Sequence, residues 1–344
     1  MLWSEAVRAD NVGVALPATA SARPLLKWAG GKRQLLPVLR RYYPAHFERY
    51  LEPFLGSGAV FFDLHAAGRL EGRRVHLTDA NPDLIGCYRT VRDDADAVIR
   101  QLAALEDEHR ARGADCYYDV RDRRFNPARV RLGPRAAAAY TPALAAMLVY
   151  LNRTGYNGLF RLNRRGEFNV PAGQYANPRI CDPDHIRQVA AALSTKRVSL
   201  VCAAFDEALA AAQLGDFAYC DPPYAPLSRT ASFAQYTAIG FNALDQQRLH
   251  RAVVAAAAQG ACVLVSNSSA GEIEAAYAAP AAQRAGLLVE RVPARRAINS
   301  RAALRGPVDE LIITNATAIH RLPTLKLNMA RSHTGSPPRR RALA

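Results

Sequence analysis

The chain has 344 residues, half of them hydrophobic, which suits one large or two smaller domains around a sizeable core. No apolar run reaches the roughly 18 residues of a membrane span, and the first twenty residues carry no basic-then-apolar leader, so a cytoplasmic protein is expected. The net charge of +15 points to a polyanionic partner.

In chain order, residues 1–22 lack periodicity and are predicted to be a disordered tail, as is the basic stretch 326–344. Lys27-Trp28-Ala29-Gly30-Gly31-Lys32 is not a phosphate loop: Leu26 stands where its first glycine belongs, and Arg33 where Ser or Thr would bind magnesium. It is instead a tryptophan between lysines beside glycines, an aromatic platform next to charge. The first strand–turn–helix unit follows, with Tyr50-Leu51 leading into Glu52-Pro53-Phe54-Leu55-Gly56-Ser57-Gly58 and then Ala59-Val60-Phe61-Phe62. Gly56 and Gly58 permit a tight turn and close backbone approach to a nucleoside-containing cofactor at the helix N-terminus. Asp79 ends the next short strand, 21 residues beyond Gly58, where it can accept hydrogen bonds from ribose hydroxyls. Phe61 replaces the third glycine of the dinucleotide pattern, which turns the reading from NAD towards a cofactor without a pyrophosphate.

Residues 86–184 show little alternation of strand and helix and read as an inserted domain between two parts of a cofactor domain, 23–85 and 185–325. Only four of the 45 basic residues are lysines, an arginine bias that composition alone would spread evenly. Residues 121–179 nevertheless hold eleven arginines against Asp122 and Glu167, so positive charge is concentrated in the insert.

Strand signals resume at 198–202 and 217–220. Asn242 is a predicted N-cap for a helix through Ala258. Residues 261–265 form an apolar run, and 287–292 and 308–314 are predicted closing strands, neighbours running antiparallel. Strands alternating with helices predict an α/β fold with a mostly parallel, doubly wound sheet. Asp221-Pro222-Pro223-Tyr224 then lies outside the carboxyl end of a strand, where open α/β sheets place ligands. Two prolines remove N–H donors and stiffen the turn, leaving the Asp221 carboxylate and the Pro222 carbonyl as acceptors.

An exocyclic base amine needs such a pair. Its nitrogen lone pair is delocalised into the ring, and two acceptors on its hydrogens draw it towards tetrahedral geometry and stabilise the positive charge that develops during alkylation. Tyr224 can stack on a base that has left the helix. Asp221, Pro222 and Tyr224 are therefore the catalytic candidates. Methylation at cytosine C5 would call for a cysteine nucleophile, usually after proline, and no Pro-Cys pair exists. Cys220 is predicted to be a core strand residue. The six cysteines include no C-x-x-C pair and the eight histidines no ligand-spaced pair, so neither a metal nor a disulfide framework is expected.

Together these motifs resemble the D12 class of adenine-N6 DNA methyltransferases, and within it the Dam group, over about 25–314. The resemblance includes the segment 26–32, the glycine turn 52–58, Asp79-Ala80-Asn81, the run from Asp221 to Pro226, Ser266-Asn267 and Val308-Asp309-Glu310-Leu311. Its most specific part is Asn152-Arg153-Thr154-Gly155-Tyr156-Asn157-Gly158-Leu159-Phe160-Arg161, continued by Gly166-Glu167-Phe168-Asn169-Val170-Pro171. The resemblance implies a Rossmann-like methyltransferase fold with a mainly helical target-recognition insert, and S-adenosylmethionine as co-substrate. It implies a cofactor site at Trp28, Lys32, Glu52, Phe54, Gly56, Gly58, Asp79 and Asp221. It also implies double-stranded DNA as partner, with no obligate protein partner, read at a GATC site by Lys27, Leu159, Arg161 and Pro171. Tyr156 would fill the space left by a flipped adenine, Asn157 would hold backbone phosphate, and Asn163 and Tyr175 complete the expected DNA face.

Two positions depart from the pattern. Gln174 stands where relatives carry arginine, and 301–307 replaces a glycine-rich stretch, which bears on flanking DNA contacts more than on chemistry. An RNA methyltransferase and a catalytically silent DNA-binding protein of the same fold are the alternatives. The first leaves the insert segment unexplained, and the second the intact Asp221, Asp79 and glycines.

Overall fold

The computed structural model describes residues 22–28, 30–133, 137–225, 241–295 and 307–316. The predicted basic tail at 326–344, the N-terminal tail but for Ala22, Ala29, Pro226 and the loop 301–306 lie outside these residues.

Seven strands form one sheet: β1 Arg49–Glu52, β2 Arg74–Asp79, β3 Val198–Cys202, β4 Asp216–Cys220, β5 Cys262–Ser268, β6 Leu288–Arg295 and β7 Pro307–Thr314, in the order β3-β2-β1-β4-β5-β7-β6. The first five run parallel, while β7 is antiparallel to both β5 and β6. This is the Rossmann-like, mostly parallel sheet with antiparallel closing strands expected from the sequence. β1 and β4 are adjacent at the centre, where the strand order reverses, so the turns leaving them face one crevice.

Period-2 alternation divides the core. Tyr50, Phe217, Tyr219 and Leu264 face one layer, and Leu51, Ala218, Cys220, Val263 and Val265 the other. Cys220 is fully buried among apolar neighbours, which pushes its thiol up and leaves it a packing residue.

Local signals act as expected at the helix starts. Asn242 caps Ala243–Ala258 through a reciprocal box with Asp245. Asn81 caps Pro82–Asp93, and Thr141 caps Pro142–Thr154.

The insert is mainly helical. Ala95–Arg112, Ala114–Asp119, Asn126–Leu132 and Pro142–Thr154 follow one another, and Val98, Leu102, Tyr117 and Leu148 join the core layer that covers one sheet face. Both expected junctions of the insert fall inside helices, Pro82–Asp93 and Pro183–Leu193, so it continues from the sheet layers without an intervening loop. Among the described residues no helix is long and apolar enough to cross a membrane.

Candidate active site

The glycine turn after β1 is shaped by two constraints that exclude a side chain. Gly56 has φ +47°, and a Cβ there would lie 3.1 Å from Trp28 Cδ1, so the indole packs directly on the turn. Gly58, at φ +70°, is the left-handed residue from which Ala59–Ala66 starts. Asp79, at the end of β2, accepts from the N–H of Gly56 (3.0 Å) and of Asn81 (2.9 Å). Each of its oxygens thus holds one backbone donor and keeps a second lone pair for a ligand. Burial raises the Asp79 carboxyl to about 6 against the pull of those two N–H groups. Phe54 stacks on Phe205 at 5.1 Å and meets the edge of Phe241 at 5.9 Å, an apolar wall beside the turn.

Glu52, which ends β1, is buried and accepts from Tyr50 Oη at 2.8 Å. Burial raises its carboxyl to about 8, with the charge of nearby Asp221 adding to the effect.

Asp221 follows β4 immediately, and side chains from other elements hold it. Lys32 Nζ lies 2.8 Å from Asp221 Oδ1, and Ser266 on β5 donates to the same oxygen at 3.1 Å. A carboxylate only accepts, so the Ser266 hydroxyl must take its own hydrogen bond from Tyr219 Oη, 3.0 Å away. The chain Tyr219→Ser266→Asp221 therefore has a fixed direction. Burial raises the Asp221 carboxyl, opposed by the Lys32 ammonium and the Ser266 hydroxyl. Lys32 is itself buried, bonded to the Gly30 carbonyl at 2.6 Å, and lies 4.5 Å from the centroid of the Tyr224 ring.

The rest of the turn is braced through its backbone. Gln246 Nε2 donates to the Pro223 carbonyl (3.0 Å), Asn267 Nδ2 to Gln246 Oε1 (3.1 Å), and the Ala225 N–H to Asn267 Oδ1 (3.4 Å). Tyr224 Oη donates to Glu310 Oε2 on β7 at 2.7 Å.

The catalytic candidates and the expected cofactor residues thus converge at the carboxyl ends of β1, β2 and β4. The expected DNA-reading residues form a second group, on the insert except for Lys27, whose backbone is tied to it. Asn152, buried at the end of its helix, binds the Lys27 N–H (2.8 Å), the Lys27 carbonyl (2.7 Å) and the Gly158 carbonyl (2.9 Å). It fastens the Lys27-Trp28 segment to the recognition segment, where Trp28 also stacks on Phe160 at 5.5 Å. Tyr156 and Asn157 are exposed. Asn157, at φ +54°, is the one left-handed non-glycine among the described residues. The Tyr156 N–H donates to the carbonyl of exposed Pro171. Leu159 is half-buried. Exposed Arg161 has its guanidinium plane fixed by Asn169, through Nε to Oδ1 at 2.8 Å and Nη2 to the carbonyl at 3.2 Å. Lys27 Nζ lies 4.9 Å from the Tyr175 ring centroid. Asn163 differs from its neighbours: its amide donates to Glu167 Oε2 and its Oδ1 accepts from the N–H groups of Arg165 and Glu167, so it shapes a turn.

Sequence reasoning assigned no role to Ser266, Glu310, Asn152, Asn267, Gln246, Phe205 or Phe241. The first four stand in the motifs that carry the resemblance, so a signal existed without a geometry. Gln246 sits within an otherwise ordinary amphipathic helix, and nothing in the sequence marked it.

A mostly parallel α/β sheet carries a glycine turn, a strand-end acid and an Asp-Pro-Pro-Tyr turn at the carboxyl edge of its reversal point, where enzymes of this architecture hold their ligands. The chain matches the D12 class of N6 adenine-specific DNA methyltransferases over residues 28–291 and belongs to that family. It is 38% identical to a type II methyltransferase of Methanocaldococcus jannaschii over 72% of this chain and 84% of that one. It is 34% identical to a type II methyltransferase of Lactococcus lactis subsp. cremoris (85% and 95%), and 35% identical to a DNA adenine methylase of Vibrio cholerae (84% and 95%). The protein is a DNA adenine methyltransferase.

Proposed function

We propose that the enzyme transfers the methyl group of S-adenosylmethionine to N6 of an adenine turned out of double-stranded DNA, within GATC. The observation that carries this reading is Asp221 itself. Its Oδ1 is taken by Lys32 and Ser266, so this reading assigns the other oxygen, with the adjoining Pro222 carbonyl, as the acceptors for the target amine.

The residues present fit the co-substrate. Asp79 has an acceptor to spare on each oxygen for ribose hydroxyls, the Phe54 cluster suits a purine face, and the Trp28 indole packed on the Gly56 turn adds an aromatic surface beside them. Asp221 is paired with the Lys32 ammonium, and Glu52 lies near enough to Asp221 for its own carboxyl to be raised by that charge. When bound, the sulfonium supplies an activated methyl group and a neutral leaving group.

The chain's own work is then positioning. Asp221 and the Pro222 carbonyl accept from the two N6 hydrogens, and the carboxylate faces the charge that grows on nitrogen. Tyr224 offers a ring to the extruded base. Burial of the site excludes competing water.

The insert at 86–184 reads the DNA in this proposal. Arg161, pre-oriented by Asn169, suits bidentate recognition of guanine, and the half-buried Leu159 suits contact with a thymine methyl. Exposed Tyr156 fills the gap in the helix, and Asn157 presents its amide towards phosphate.

The test is incubation with S-adenosylmethionine and unmethylated plasmid DNA, followed by nucleoside mass spectrometry and sequencing of modified positions. N6-methyladenine confined to GATC is expected. The same product at another sequence would discard the assigned base readers, and N4-methylcytosine alone would sink the target assignment.

A further inference from the structure

Tyr224 is held at four points, and one of them lies on a strand that otherwise only closes the sheet. Pro222 and Pro223 fix φ on the approach to it. Gln246 holds the carbonyl before it and Asn267 the N–H after it, so its Cα is immobilised and only the ring torsions remain free. Lys32 Nζ sits over one ring face at 4.5 Å. The remaining contact is the hydrogen bond from Tyr224 Oη to Glu310 Oε2, 2.7 Å long. Burial, with Asp221 and Glu310 close by, pushes the phenol well up, so it stays a neutral donor to the carboxylate.

Glu310 is anchored on both sides. Its backbone lies opposite Ser268 of β5 and Val292 of β6, in the interior of the antiparallel part of the sheet. A bond at the far end of the ring controls ring tilt with the longest lever the side chain has. With one face covered by an ammonium, the tilt decides where the other face lies relative to Asp221.

We propose that Glu310 is a positioning residue for methyl transfer, setting the Tyr224 ring plane against which the target adenine stacks. This gives β7 a part in the reaction: its reversed direction brings a side chain to the catalytic turn. The inference rests on the reading that Tyr224 carries the extruded base.

The experiment is single-turnover transfer of tritiated methyl groups from S-adenosylmethionine into unmethylated plasmid DNA, with both at saturation. It compares wild type, Tyr224→Phe, Glu310→Ala, Glu310→Gln and the double variant Tyr224→Phe/Glu310→Ala. Loss of a charge-assisted hydrogen bond predicts a rate reduced roughly 10- to 100-fold in Glu310→Ala, and less in Glu310→Gln, which keeps an acceptor. Tyr224→Phe should match Glu310→Ala, and the double variant should be no slower than either. Dissociation constants for DNA and S-adenosylmethionine should stay at wild-type values, which a general loss of structure would not allow. A wild-type rate in Glu310→Ala, or an equal further loss when it is added to Tyr224→Phe, would overturn the proposal. If Glu310→Ala does not fold, Glu310→Gln alone and in the Tyr224→Phe background gives the same comparison. A wild-type enzyme that leaves DNA unmethylated would remove the adenine reading and this inference with it, a result distinct from losses confined to the variants.

Discussion

The turn proposed to be catalytic and the segment proposed to read DNA are built by opposite means. At the turn, side chains from distant elements hold one functional side chain: Lys32, Ser266 and Tyr219 act on Asp221, and Glu310 acts on Tyr224. In the recognition segment, buried Asn152 holds backbone, while Tyr156, Asn157, Arg161 and Tyr175 point outward. Methyl transfer depends on the position of particular atoms in a dry pocket, where a displacement of about 1 Å can cost 100-fold. DNA reading, in this proposal, depends on an exposed face whose backbone is fixed and whose outward side chains, Arg161 among them, are held by neighbours in that face. The Lys27–Lys32 segment belongs to both, its first lysine fastened to the insert and its second to Asp221.

The sharpest way to test that division is to remove the atom at the centre of the turn. Asp221→Ala should lower methyl transfer by about 1,000-fold or more, since it removes the acceptor that faces developing charge. DNA affinity, measured by fluorescence anisotropy, should survive, because the recognition face is held by other groups. Loss of DNA binding in step with activity would show that the two regions are not separately supported.

Asn152→Ala attacks the other region through its backbone. It leaves the Lys27 N–H and two carbonyls without their partner in a buried setting, at a cost of about 2–4 kcal/mol. Urea unfolding should show that loss, and both DNA and co-substrate affinity should fall, since Trp28 rides on the same segment. Unchanged stability would mean that the segment is held chiefly by the Trp28–Phe160 stack.

Arg161→Ala tests a single outward side chain. If the guanidinium reads guanine, specificity at one base pair should relax by about 1–3 kcal/mol while other positions keep their preference. An equal loss on every sequence would instead mark a phosphate contact.

The same contrast explains what was legible in the sequence. Strand positions, the Asn242 cap and the antiparallel pair at the end follow from periodicity and capping chemistry, which act locally, and they were readable to within a few residues. Asp79 and Asp221 were readable as strand-end acids because each closes a short strand-like run, and the structure places both at strand ends. The braces were not. Gln246 and Asn267 act only because a helix and a strand are brought together by folding, and Glu310 reaches Tyr224 only because β7 runs backwards between β5 and β6. Lys32 adds a contact the sequence did not suggest: besides the co-substrate contact the resemblance implies, its ammonium pairs with Asp221. Asn163 likewise has a structural part the sequence did not suggest, its amide and Oδ1 bracing a turn within the insert.

The smallest effect expected concerns pH, and it separates two of the site's acids, Asp79 and Glu52. Asp79 is raised to about 6, so it gains charge as pH climbs through that value, and an ionised carboxylate is the stronger acceptor for ribose hydroxyls. Affinity for S-adenosylmethionine should therefore rise on the order of threefold to tenfold between pH 5 and pH 8. Asp79→Asn should flatten that dependence at the weaker end. Glu52 works with the opposite sign on stability. Its folded-state carboxyl is raised to about 8, above the ordinary carboxylate range, so the native state binds the extra proton in that window. Its contribution to stability is complete at acid pH and declines as pH rises towards 8. Ion pairs elsewhere, such as Arg129 with Asp83, also respond to pH, so the informative quantity is the difference in melting temperature between wild type and Glu52→Gln. Relative to wild type, Glu52→Gln should gain stability steadily from pH 5 to pH 8. A difference independent of pH would show that the Glu52 carboxylate is accommodated in its charged form, and that the site carries its negative charge even without a cationic ligand.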